Sequence, residues 1–256
     1  MKGLHWIVIA GVLLGLASPA TVFAVGKGTP SFYDRHVLFD NSHSDGGFGS
    51  SNGWSIAPST LELVDKTVPV ETQRFVSPPN ALRLSWKSAP GGDWQLTIAI
   101  TRRYARPFEF EGEALTFWCY SDSQITAANS PRIYFEDVNE NRTPAVTLVS
   151  GAERIPAGQW VQVKLPFDAL FAQPVKNTED SQFDVREILS VTFLQGLDDD
   201  RKHTLYLDDF QIRDLSTGDT IPPPVSEKIT ARAYERHVDV SWAPSAADDL
   251  LSYRIY

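Results

Sequence analysis

The residues with the most chemistry to offer are aromatics that stand out of phase with an apolar repeat. Leu115, Phe117 and Cys119 alternate along one face of a strand, which turns Trp118 and Tyr120 to the other face. A second run repeats the arrangement, with Ile133 and Phe135 in the apolar phase and Arg132, Tyr134 and Glu136 in the polar one. A flat ring face packs against the C–H side of a sugar, while nearby charged groups meet its hydroxyls. Trp118, Tyr120, Tyr134, Arg132 and Glu136 therefore make one ligand-binding platform for a polysaccharide or oligosaccharide, provided the two strands are neighbours in one sheet. The alternative is that Trp118 and Tyr134 pack beneath the long loops of the first hundred residues. Trp54, beside the glycine-rich stretch 46–53, stays open between a sugar contact and a lid over the core.

Bond-breaking chemistry is poorly served. Glycoside hydrolysis needs two carboxylates at a set separation, and the densest candidate is Glu136-Asp137-Val138-Asn139-Glu140. A strand points Glu136 and Asp137 to opposite faces, so this run reads as a solvated strand end, with a lyase or hydrolase built on Glu136 as the rival. Asp198-Asp199-Asp200 reads as a solvated hairpin tip. No His-Glu-x-x-His or P-loop pattern occurs, and no residue is assigned a catalytic role. A single Cys119 makes no intrachain disulfide, and no Cys/His cluster has zinc spacing.

The elements that must position these side chains are strands. Period-two alternation recurs over Leu82 to Trp86, Trp94 to Ile100, Val161 to Leu165, Val191 to Phe193 and Leu205 to Ile212. A slip of phase between Leu207 and Phe210 predicts a bulge at Asp208-Asp209. Turn-forming clusters such as Ser77-Pro78-Pro79-Asn80 and Ala89-Pro90-Gly91-Gly92-Asp93 separate the runs. Helix is confined to short pieces near Phe167 to Phe171 and Asp184 to Glu187. The absence of any long helical period after residue 24 excludes Rossmann and TIM-barrel architectures, leaving an all-β sandwich or barrel.

With 23 Lys plus Arg against 32 Asp plus Glu among 256 residues, the chain offers no basic face for a nucleic acid. Lys2, the apolar run Trp6 to Ala17, Pro19 and Val22-Phe23-Ala24 read as a secretory signal peptide over residues 1–24. The run is well short of the ~20 residues that span a bilayer, so no stable membrane span follows signal removal. The expected location is secreted, periplasmic or cell envelope. Residues 25–34 form a lead-in, 35–215 the main domain, 216–226 a linker stiffened by Pro222-Pro223-Pro224, and 227–256 a further β segment.

The main region resembles the galactose-binding-like jelly roll used by carbohydrate-binding modules. The resemblance rests on Val37-Leu38-Phe39-Asp40, on Ala81-Leu82-Arg83-Leu84 after its proline turn, on Leu115 to Ser121, on Gln159-Trp160-Val161-Gln162-Val163, and on Thr204 to Ile212. Residues 222–256 resemble the opening of a fibronectin type III domain, through Val238-Asp239-Val240-Ser241-Trp242-Ala243-Pro244 and Tyr253-Arg254-Ile255-Tyr256. They supply only its first three strands, so that domain is incomplete. The resemblance implies an antiparallel jelly-roll β-sandwich and a secreted, non-catalytic carbohydrate-binding module, the N-terminal part of a larger glycan-active enzyme. A structural or protein-binding sandwich of a cell-envelope protein is the alternative. The resemblance also implies a structural calcium ion near Asp40, Asp209 and Asp208, whose carboxylates are oxygen ligands of the kind calcium takes. Trp160 belongs to the family pattern and reads as structural.

Overall fold

Strands that bury one face and expose the other must stack in pairs of sheets. The computed structural model describes residues 35–38, 46–100, 109–151, 153–171, 183–215, 228–234 and 238–243. One antiparallel sheet has five strands in the order β1 (Ser51–Ile56), β5 (Asp93–Ala99), β10 (Ile188–Leu194), β7 (Arg132–Asp137) and β8 (Val146–Thr147). The other has six, with β2 (Thr60–Leu61), β4 (Ala81–Lys87), β11 (Lys202–Arg213), β6 (Ala114–Tyr120) and β9 (Val161–Pro166) in line and β3 (Val70–Glu71) also on β4. A short helix, α1 (Phe167–Phe171), follows β9, and a 3-10 turn at Val185–Glu187 is capped by the Asp184 side chain. The fold is the expected jelly-roll sandwich.

Every apolar phase read from the strands faces inward. Leu82, Leu84, Leu96, Ile98, Phe117, Cys119, Ile133, Phe135 and Val191 are fully buried in one core. At its centre Phe117 stacks on Phe210 at 4.4 Å between ring centroids, and Phe193 meets both rings edge-on at 6.4 Å. These rings come from both sheets, so they tie the two layers together.

The bulge falls where the phase slip put it. The β11–β6 register shifts between Asp208 and Gln211, and Asp209 adopts a left-handed φ of 54°. The extra residue returns Phe210 and Ile212 to the core after Leu207. The Asp208 Oδ2 accepts backbone N–H groups from Val76 at 2.6 Å and Ser77 at 2.8 Å, which pins the 72–77 segment to the outside of the six-stranded sheet. Val37 bridges Gln211, so the opening segment meets the last strand of the sandwich.

β1 was hidden in the sequence because Gly53 takes an inward position where an apolar side chain would have marked the alternation. An added Cβ there would meet the ends of the Leu63 and Leu61 side chains at 2.8 and 3.0 Å. At the C-terminal side, β12 (Thr230–Ala233) and β13 (Val238–Ser241) pair as an exposed antiparallel ribbon. The linker and the last run, Ser252 to Tyr256, lie outside the described residues, as do the signal segment and the lead-in. Among the described residues no helix is long and apolar enough to cross a membrane.

Candidate functional site

The five platform residues do not share a face. β6 lies in the six-stranded sheet and β7 in the five-stranded one, so Trp118 and Tyr120 look out from one side of the sandwich while Arg132, Tyr134 and Glu136 look out from the other. The condition for a single platform therefore fails. Alternation within each strand was legible, but which strands are neighbours depends on pairings between residues far apart in sequence.

On the six-stranded side the ring faces are already engaged. Arg74 stands over Tyr120 at 4.4 Å and over Tyr206 at 4.8 Å, and its guanidinium pairs with Asp122 at 2.8 Å. Tyr120 also packs against Trp160 at 5.6 Å, the structural role expected of that tryptophan. This Tyr120–Tyr206 row is capped by Arg74, from the segment that Asp208 anchors. Trp118, in the next row between Asp208 and Gln162, is half-buried.

The five-stranded side is built differently. Pairing aligns Trp54, Gln95, Leu194 and Arg132 in one outward row, and Asn52, Thr97, Thr192 and Tyr134 in the next. The following row places Ala99, Ser190 and Glu136 side by side. Short side chains thus form a floor in the middle, where Thr192 and Ser190 are only 1% and 5% exposed although they point outward. The Thr97 and Thr192 hydroxyls bond each other at 3.0 Å, and the Gln95 amide donates to Thr97. Larger groups stand at either end: Trp54, 39% exposed, on β1, and Tyr134 with the Glu136–Arg142 pair on β7. From β1 to β7 the trough crosses three inter-strand spacings of about 4.8 Å, so about 14 Å. The polar groups accessible along it are those of Asn52 and Gln95, between two aromatic ends, which suits a short chain of sugar rings laid across the strands.

Electrostatics at the Tyr134 end are set by one loop. Arg142 Nε donates to Glu136 Oε2 at 2.6 Å, and its guanidinium carbon lies 5.5 Å from the Tyr134 ring centre. That hydrogen bond raises the Arg142 pKa above its ordinary value. Arg132 donates to the Ala145 carbonyl at 2.9 Å, which draws its head toward the sheet edge. In the run after Glu136, Val138, Asn139 and Glu140 are exposed as expected of a strand end, but Asp137 is fully buried, with Oδ1 accepting the Asn139 and Asn141 N–H groups and Oδ2 accepting the Asn141 amide and the Asp184 N–H. Burial alone would raise its pKa, but these four donors outweigh it and lower the value. Asp137 therefore ties the loop that holds Arg142, and it faces away from Glu136 as alternation required.

Other acidic candidates are also structural. Asp198 accepts from Gln195, Asp199 bonds His203 at 2.6 Å, and Asp200 pairs with Lys87 at 2.9 Å, so the expected hairpin tip is cross-linked to the sandwich. For calcium, Asp208 and Asp209 sit side by side at the bulge, and their carboxylates fit the oxygen chemistry of that ion; the Asp209 Oδ1 also accepts from Gln211. Asp40 lies outside the described residues. Among the described residues no group of three or more His, Cys, Asp or Glu is arranged to hold a metal.

Comparison with known proteins bears on the same region. The family model for carbohydrate binding domain 30 matches residues 35–214. The chain is 28% identical over 226 residues to an exo β-1,2-glucooligosaccharide sophorohydrolase (non-reducing end) of Parabacteroides distasonis, covering 88% of this chain and 30% of that protein. A crystal structure of a β-1,2-glucanase from Parabacteroides distasonis superposes with a TM-score of 0.67 at 26% identity, over 84% of this chain and 30% of the other. The chain thus spans about three tenths of the length of these relatives. A family 30 carbohydrate-binding module matches with a TM-score of 0.52 at 18% identity, over 73% of this chain and 91% of the module, a likeness of fold. By a family match over residues 35–214, most of its length, and by its fold, the chain belongs to the carbohydrate binding domain 30 family.

Proposed function

We propose that the outer face of the five-stranded sheet binds a β-1,2-linked glucan, and that the module serves a larger, exported glycan-active enzyme without catalysing a reaction itself. The observation that carries the reading is the strand alignment that sets Trp54 at one end and Tyr134 at the other of a polar surface with Asn52, Gln95 and Thr97 between them. Two relatives whose names specify β-1,2-glucan chemistry support the choice of linkage. The signal-like segment 1–24 supports export to the periplasm, envelope or medium. Calcium held by Asp40, Asp209 and Asp208 is part of the same proposal, as a stabiliser of the domain rather than a participant in binding.

The test is calorimetry with β-1,2-, β-1,3- and β-1,4-linked gluco-oligosaccharides against Tyr134→Ala, Trp54→Ala, Trp118→Ala and Tyr120→Ala. Binding that is lost in the first two variants and kept in the last two, at unchanged melting temperature, supports the five-stranded face. The reverse pattern moves the site to the six-stranded face. No binding across a broad glycan panel favours a structural or protein-binding sandwich.

A further inference from the structure

The side of the sandwich beyond β7 holds a groove of about 600 Å³ between the edge strands β8 and β9, bounded by α1. Its volume falls within the range of about 300–1,000 Å³ typical of small-molecule sites. Buried Leu148 and Leu170 lie at its base, with Val146 and Leu165 on the walls. Arg132, Thr147, Ser150, Glu153 and Lys164 supply polar groups around this apolar lining. The Lys164 and Glu153 side chains are exposed and have no ion-pair partner among the described residues.

Two features decide what such a groove can hold. The free edges resist an added peptide strand: β8 is two residues long, Pro144 precedes it, and β9 carries Lys164 and ends at Pro166. Cationic donors, an anionic acceptor and two hydroxyls over aliphatic walls match instead a ligand with vicinal hydroxyls and C–H faces. Arg132 links this groove to the trough, because it stands two residues from Tyr134 on the same face of β7 and also lines the groove, bonded to Ala145. A chain leaving the Tyr134 end of the trough meets Arg132 and then the groove.

We infer that the groove between β8 and β9 is a second saccharide subsite, occupied by the continuing end of a glucan chain whose other part lies on the five-stranded face. This inference rests on the proposed role of that face. Joining two subsites through one ligand raises affinity without strengthening either contact, because the second binding event becomes intramolecular.

The experiment is calorimetry with β-1,2-gluco-oligosaccharides of graded length on wild type, Ala169→Trp and Lys164→Glu, with melting temperatures as the folding control. Ala169 is exposed on α1, so a tryptophan there fills the groove from outside the core. Wild-type affinity is expected to climb about tenfold from short to long ligands, and both variants to bind short ligands normally while losing the climb. Lys164→Glu, on an exposed strand position, carries the test if Ala169→Trp folds poorly. Length-independent binding by wild type, or a climb kept in the folded variants, overturns the groove while leaving the trough intact. Absence of binding at every length overturns both.

Discussion

The Glu136 carboxylate and the Arg142 guanidinium form a 2.6 Å ion pair across a tight loop, with 18% of the first side chain and 62% of the second exposed. An exposed pair of this kind contributes at most about 1 kcal/mol to stability. Its place beside Tyr134 makes it a source of paired hydrogen-bonding groups for a ligand. Glu136→Gln and Arg142→Ala are expected to leave the melting temperature nearly unchanged and to weaken oligosaccharide binding by roughly three- to tenfold, about 0.7–1.4 kcal/mol. Calorimetry that finds wild-type affinity in both variants removes the pair from the site.

Asp137 carries the opposite expectation. It is fully buried and accepts four hydrogen bonds, so Asp137→Ala strands those donors and is expected to destabilise the domain by about 2–4 kcal/mol. Because its folded pKa is lowered below the unfolded value of about 3.9, its contribution is present above that value and is lost as pH falls through the folded pKa. Denaturant titrations should therefore show the gap between wild type and variant narrowing below about pH 4. A gap that stays constant from pH 7 to pH 3 would contradict this account.

Cys119 is fully buried on β6, and burial pushes its thiol pKa well up. The thiolate is the reactive form, so a thiol reagent at pH 8 should leave the folded protein unmodified for hours and label it at once in denaturant. Rapid labelling of native protein would mean that the β6–β9 edge opens far more often than its packing indicates.

If calcium is held at the bulge, EDTA is expected to lower the melting temperature by a few degrees, since an ion present at 100 times its Kd adds about 2.7 kcal/mol. Metal analysis of the chelated and untreated protein checks it. An unchanged melting temperature together with no calcium in the untreated protein leaves Asp208 as an anchor for Val76 and Ser77 alone.

Period and phase were determined by the sequence itself. Core faces such as Leu82, Leu84 and Trp86, the bulge at Asp208-Asp209 and the two helical pieces follow from local alternation, turn chemistry and burial, which act over a few residues. Tertiary structure alone decided which outward faces meet. Tyr134 and Trp118 present the same local pattern, yet β10 comes from some sixty residues farther along the chain to pair between β5 and β7, while β11 takes the place beside β6. The polar phase of β5 and β10, Gln95, Thr97, Ser190 and Thr192, was visible as alternation but acquires meaning only when those strands lie side by side. Asp137 turned from a solvated strand end into a buried anchor for a similar reason, since one of its donors, Asp184, is 47 residues away. Long-range pairing is chosen by the collective burial of both sheet faces, a property of the whole chain that no short window contains.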